Sequence, residues 1–176
     1  VSDTHIPDRT RILNPHLLES LRENGVNLIL HAGDISIPRV LNELSEIAPV
    51  LAVKGNRDFV FGNELPLTRL LEINGHKVFI SHGHMGTITY WIDKFQHSVK
   101  GYQSDRYIKR LTQAEPDASV YIFGHSHSHE EIYLGGKFFF NPGSATFALP
   151  PETRRSWGLL KFTADSFSSQ VLFLDD

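Results

Sequence analysis

The chain has no cysteine, which excludes disulfides and thiolate-bound metals and fits a reducing compartment. It has no excess of basic charge: Lys and Arg number 17 against 20 Asp and Glu, a formal net charge of -3. That balance gives no electrostatic support for a general nucleic-acid binder. No apolar run approaches the ~18 residues of a membrane span, and no charged-plus-apolar signal segment opens the sequence. A cytoplasmic protein is therefore expected. There is no internal repeat, low-complexity tract or linker, so residues 1–176 are expected to form a single domain. Only Val1 and Ser2 precede the first acidic block, whereas the later blocks follow longer apolar runs. A first strand truncated at the N-terminus is the expectation from that pattern.

What is present is an ordinary globular composition, 40% hydrophobic and 21% charged. Residues 26–30 form a continuous apolar run, expected to be a buried parallel strand that ends at His31-Ala32-Gly33-Asp34. A helix is expected before it, between Asn14-Pro15 and Gly25, since Asn caps, Pro suits the first turn and Gly the left-handed stop. The next helix is expected to start with Ser36 as cap and to bury Val40, Leu41, Leu44 and Ile47. Residues 50–53 then read as a second buried strand. This alternation of strand and helix means crossover connections and parallel pairing.

Further on, residues 70–73 and 76–80 flank Asn74-Gly75, a strong signal for a tight antiparallel hairpin. Residues 85–115 carry Tyr90, Trp91, Phe95, Tyr102 and Tyr107, with a helix expected after Ser104. Strands are expected at 119–123, 132–134, 137–140, 158–162 and 170–174, with Gly135-Gly136 as a turn. The fold class is α/β: two sheets of mixed strands packed together, with helices outside.

Ten histidines are scattered through this pattern, and their placement is informative. Ser2-Asp3-Thr4-His5, Gly33-Asp34, Gly55-Asn56-Arg57-Asp58, Ser81-His82-Gly83-His84 and Gly124-His125-Ser126-His127 set oxygen or imidazole donors at or just past apolar runs. Such donors without sulfur suit Mn, Fe(II), Zn or Ni. Loops leaving the carboxyl ends of strands in open α/β sheets are where ligands bind, so folding can gather Asp3, Asp34, Asn56, His82 and His125 at one edge.

In that order the blocks resemble the calcineurin-like metallophosphoesterases, and within them the small bacterial and archaeal phosphodiesterases. Asn141-Pro142-Gly143-Ser144 resembles a further mark of that subfamily. The resemblance implies a four-layer αββα arrangement and two divalent ions per chain, Mn first, with Ni, Fe, Zn or Mg as alternatives. It implies Asp3, His5, Asp34 and His127 around one ion and Asp34, Asn56, His82 and His125 around the other, with Asp34 as the bridge. Water between the ions would attack phosphorus while Asn56 steadies charge on the phosphate. The substrate class is a small phosphoester, with a diester expected and a monoester or nucleotide as the alternative. A non-catalytic scaffold resembling a retromer subunit is the other alternative, and the filled ligand positions argue against it.

Several residues have competing readings. Arg57 grips a phosphate or is a solvated loop arginine. It stands where many members of the wider superfamily keep a histidine acid, and arginine cannot donate a proton usefully at neutral pH. Leaving-group protonation then falls to His84, to water or to nothing, and His84 is read either as a catalytic residue or as structure. His31 is expected to orient Asp34 or to pack. His16, His76, His97 and His129 are read as surface or packing residues. The aromatic segment is read as core or as a subunit contact, which leaves a homodimer open.

Overall fold

Apolar residues alternate in destination along the central strands, and that alternation sets the layers. The computed structural model describes residues 1–101, 103–147 and 154–174, apart from the side chains at 87, 88, 94, 96–98 and 100. Tyr102 and the side chain of His97 thus lie outside the described residues. The elements are α1 (Pro15–Glu23), β1 (Ile29–His31), α2 (Pro38–Ser45), β2 (Val50–Ala52), β3 (Thr68–Ile73), β4 (His76–Ser81), α3 (Thr87–Lys100), α4 (Ser104–Ala114), β5 (Val120–Ile122), β6 (His129–Leu134), β7 (Lys137–Pro142), β8 (Ser156–Phe162) and β9 (Phe167–Phe173).

One sheet has the order β3-β4-β5-β7-β6, with its three central strands parallel and hairpins at both edges. In the facing layer β1 pairs β2 in parallel and β8 pairs β9 antiparallel. Backbone bonds join these pairs. Ala32 donates to Val1 and Asp3 to Gly33, each at 3.0 Å, while Ala145 donates to Ser2 at 3.1 Å and Ser156 to Ser144 at 2.9 Å.

Val78, Ile80, Val120, Ile122, Phe138 and Phe140 face inward between the sheets, with Leu30, Leu160 and Val171 packed against them. The residues between them on the same strands, Phe79, Tyr121 and Phe139, point the other way and meet Tyr107, Ile108 and Leu111 of α4. On the opposite side Leu17, Leu21, Val40 and Leu44 of α1 and α2 cover Ile29, Ala52 and Trp157. These clusters are the interfaces of a helix–sheet–sheet–helix stack. The mixed two-sheet α/β fold expected from the sequence is the fold observed.

Local details agree in places and differ in others. Asn14 accepts from the His16 N–H at 3.0 Å and Pro15 opens α1, as expected. Asn74 and Gly75 both have positive φ, 48° and 83°, the backbone a tight hairpin needs. Ser36 is not the cap of α2: Ile37 holds that position without a side-chain bond. The reason is that Asp58 takes the Ser36 N–H at 2.7 Å, and Ser36 adopts φ 75°. The expected strand at 26–30 shifts to Ile29–His31, and helix precedes Ser104 as well as following it. The polar residues within α3 concealed that helix.

Candidate metal centre

Parallel strands β1 and β2 end at His31 and Ala52, and parallel strands β4 and β5 end at Ser81 and Ile122. The loops that follow carry Asp34, Asn56, His82 and His125 to one edge, where Asp3, His5 and His127 join them. Asp3, His5, Asp34, His125 and His127 all have positive φ, between 47° and 73°. Left-handed backbone costs a non-glycine residue ~1–3 kcal/mol and collects at functional sites. Two glycines explain how tightly the loops meet. A Cβ on Gly55 would lie 2.2 Å from both the Asp34 backbone N and Oδ1, and one on Gly124 would lie 2.0 Å from Ser2 Oγ.

The two carboxylates are arranged alike. Asp3 Oδ2 accepts from the Ser2 hydroxyl and from the His125 N–H at 3.1 Å, while Asp3 Oδ1 is buried with no hydrogen-bond partner. Asp34 Oδ1 accepts from the Arg57 N–H at 2.7 Å, which leaves Oδ2 to face histidines. Asp34 Oδ2 lies 3.6 Å from His5 Nε2 and 3.4 Å from His82 Nε2. Asp3 Oδ1 lies 3.3 Å from His127 Nε2, 3.6 Å from His5 Nε2 and 3.9 Å from His82 Nε2. Both carboxylates therefore reach the His5 and His82 sides. The sequence pointed only to Asp34 for such a place.

The imidazoles are oriented by their far nitrogens. His82 Nδ1 donates to Ala32 O at 2.7 Å and His127 Nδ1 to Phe147 O at 2.8 Å, so each turns Nε2 toward the carboxylates. His5 Nε2 and His127 Nε2 are 3.1 Å apart. Asn56 Oδ1 lies 3.2 Å from His82 Nε2 and 2.9 Å from His125 Nδ1. Asp3, His5 and His127 form one group of donors that could hold a metal ion, and Asp3, Asp34 and His82 another.

The charges follow from these neighbours. Burial opposes a proton on His82, but Asp34 and Asp3 outweigh it and raise its pKa to about 10. His127 is likewise raised, burial being outweighed by Asp3. Burial would raise the Asp3 carboxyl, yet His127 and His82 hold it well below the usual range. His125 is lowered to about 4 and His84 to about 3, by burial first and then by the charge on His82.

His84 is buried beside this set, its ring 5.9 Å from His125 and 5.3 Å from His82, with Nδ1 unpartnered. Arg57 is exposed, and only its backbone is tied into the site. His31 accepts from the Gly33 N–H at 3.2 Å through Nδ1 and meets Thr4 Oγ1 at 3.2 Å through Nε2, which braces the backbone around Asp34. His16 is exposed near Glu19, while His76 and His129 pack on phenylalanine rings.

Two of the sequence blocks have bracing roles that the sequence reading did not assign. The Asp58 carboxylate accepts from the N–H groups of Asp34 (3.0 Å), Ile35 (2.7 Å), Ser36 (2.7 Å) and Gly55 (2.7 Å), clamping two donor loops together. An Asp three residues past a loop glycine was the available signal. Ser144 Oγ donates to Asp3 O at 2.8 Å, and Asn141 Nδ2 to Gly124 O at 3.2 Å and Ser126 Oγ at 2.8 Å. The Asn-Pro-Gly-Ser block is thus a brace for two donor loops.

Comparison with known proteins gives the family and agrees with the fold. The chain is 33% identical over 172 residues to a probable metallophosphoesterase of Methanothermobacter thermautotrophicus, covering 98% of this chain and 89% of that one. It is 28% identical to vacuolar protein sorting-associated protein 29 of Schizosaccharomyces pombe, over 84% of this chain and 71% of that one. Vps29 from Entamoeba histolytica, solved in complex with Zn2+, superposes with a TM-score of 0.72 at 24% identity, covering 99% of this chain and 97% of that one. Residues 1–165 match the calcineurin-like phosphoesterase superfamily domain, and the chain belongs to that family.

Proposed function

We propose that the chain is a metal-dependent phosphodiesterase. Asp3, His5, Asp34 and His127 would hold one divalent ion, and Asp34, Asn56, His82 and His125 the other. The observation behind this reading is the divided use of each carboxylate. One oxygen is spent on backbone N–H groups, with the Ser2 hydroxyl added at Asp3, and the other is left among imidazole nitrogens. A buried carboxylate oxygen without a donor is costly unless a cation faces it. The Nε2 atoms of His82 and His127 turn toward the same space, so the donor set fits a cation. When bound, the ions supply an activated water and neutralise charge on the phosphate.

The remaining roles belong to the chain. Asn56 uses its carboxamide oxygen toward His82 and His125 and keeps N–H groups that can donate to a phosphate oxygen. Arg57, the next residue in the same loop, carries an exposed guanidinium suited to a bidentate phosphate contact. His84 is assigned a catalytic place next to the donors. Oxygen and imidazole donors without sulfur favour Mn, with Ni, Fe, Zn or Mg as alternatives. Preference for a diester rests on the resemblance to small phosphodiesterases. No helix among the described residues is long and apolar enough to cross a membrane. The cysteine-free composition supports a cytoplasmic setting.

A binding scaffold is the second reading. It is favoured by the likeness to vacuolar protein sorting-associated protein 29 and by the exposed Trp91, Phe95 and Val99 on α3. One experiment separates the two. Protein purified without chelator is assayed for bound metal, then for hydrolysis of bis(4-nitrophenyl) phosphate and 4-nitrophenyl phosphate with added Mn, with Asp34→Asn as control. Metal-dependent turnover, faster on the diester and absent in the control, is expected. Metal binding with no turnover of any phosphoester would favour the scaffold.

A further inference from the structure

Helix α3 lies over the His84–His125 side of the centre. Its first turn carries Tyr90, whose N–H donates to Gly86 O at 3.0 Å. The Tyr90 ring stands edge-on to His84, with centroids 6.3 Å apart at 87°, and to His125, at 5.8 Å and 73°. Among the described residues none is a hydrogen-bond partner of its hydroxyl. Three residues on, and so on the same face of the helix, Asp93 is only 4% exposed. Its carboxylate takes both Arg110 nitrogens, Nη1 at 2.7 Å and Nη2 at 2.8 Å. Arg110 Nη1 also donates to Gly83 O at 2.8 Å. A single guanidinium therefore joins α3, α4 and the loop between His82 and His84. Bidentate pairs of this kind fix orientation as well as contact.

We propose that Tyr90 is a catalytic residue, its phenol giving a proton to the leaving oxygen of the phosphoester, and that Asp93 and Arg110 are its positioning pair. The proposal rests on the hydrolase reading above and supplies the donor that Arg57 cannot be. As the attacking water oxygen bonds to phosphorus, the bond to the leaving oxygen breaks and its electron pair stays on that oxygen. The Tyr90 O–H proton moves there. The water's released proton goes to solvent, and the phenolate recovers a proton from solvent. Diester and water thus become monoester and alcohol, with the enzyme unchanged.

The Tyr90 phenol is a neutral O–H donor. It helps leaving groups more basic than itself and does little for acidic ones. The test is Tyr90→Phe, which keeps the ring, assayed with Mn on diesters whose leaving groups run from nitrophenol through phenol to an alkyl alcohol. The expected loss in kcat is up to about 10²-fold for basic leaving groups, and small for nitrophenol, with KM and bound metal unchanged. Arg110→Lys should show the same pattern more weakly and add nothing in the Tyr90→Phe background. A loss equal across the series, as a packing role would give, overturns the proposal, and so does no loss. If the wild type cleaves no phosphoester at all, the hydrolase reading fails first and this proposal falls with it.

Discussion

The two sides of the centre use the same imidazole chemistry, but one is charged and the other neutral. His82 and His125 are close enough for Nε2 of the first and Nδ1 of the second to lie 3.3 Å apart. Yet His82 is raised to about 10 and His125 lowered to about 4. Burial opposes a proton on both, so burial is not what separates them. His82 is next to two carboxylates, whereas His125 faces the charge on His82 itself, which lowers it further. One side of the site is therefore ionic, while the other is neutral and faces Tyr90 and His84.

The sharpest way to break this contrast is to neutralise the ionic side. Asp34→Asn keeps an acceptor for the Arg57 N–H but removes the charge between His5 and His82. Metal content should fall, and activity should drop by at least the ~10²–10³-fold that losing one charge-stabilising group costs. Inductively coupled plasma analysis and the diester assay would show both. Retained metal with retained turnover would mean that Asp3 alone supplies the needed charge.

A change on the neutral side should behave differently. His84→Ala removes a ring stacked on His125 but no donor assigned to an ion. Turnover is expected to fall, by up to ~10²-fold if His84 takes part in proton transfer, with bound metal unchanged. Metal loss as complete as in Asp34→Asn would place His84 among the ligands and erase the distinction between the sides.

Much of this was legible in the chain because the signals were local. The alternation at 78–80, 120–123 and 138–140 encodes strands buried on both faces, and the structure sends those residues to separate cores. The donor blocks could be read because strand ends place their loops at one edge. What could not be read depends on contacts distant in sequence. Asp58 looks like part of a turn until folding brings the 34–36 backbone to it. Asp93 and Arg110 are ordinary helix charges until α3 and α4 meet. Helix α3 was missed because polar residues are mixed among its apolar ones, and its Trp91, Phe95 and Val99 are exposed instead of forming a core face.

Asp58 offers a subtler test, because it supports the ionic side without belonging to it. Asp58→Asn replaces one accepting oxygen with an amide that faces N–H donors. The loops bearing Asp34 and Asn56 should loosen, lowering metal affinity by ~10–100-fold, as outer partners of ligands commonly do. Competition with a fluorescent chelator would measure it. An unchanged affinity would show that the glycine-packed loops hold their shape without this clamp.

The smallest expected effect is on stability, and it bears on the contrast most directly. In metal-free protein His82 has a folded pKa of about 10 against an ordinary 6.5. The stability from its proton is complete below about 6.5 and is lost as pH rises toward 10, because the unfolded chain gives up that proton first. His127, also raised, acts in the same sense. His125 and His84 act in the opposite sense. They stay neutral when folded down to about 4 and about 3, so stability falls as pH drops below 6.5. Metal-free protein should therefore be most stable near pH 6.5, with Tm declining on both sides, each differentially held proton contributing at most ~1.4 kcal/mol per pH unit. Saturating Mn should flatten the alkaline side, since a bound cation replaces the protons on His82 and His127 and releases them. Thermal unfolding from pH 5 to 9.5, with chelator and with Mn, would follow both limbs. A metal-free Tm that holds level or rises between pH 7 and 9.5 would mean that Asp3 and Asp34 do not hold a proton on His82, and the electrostatic division of the site would be wrong.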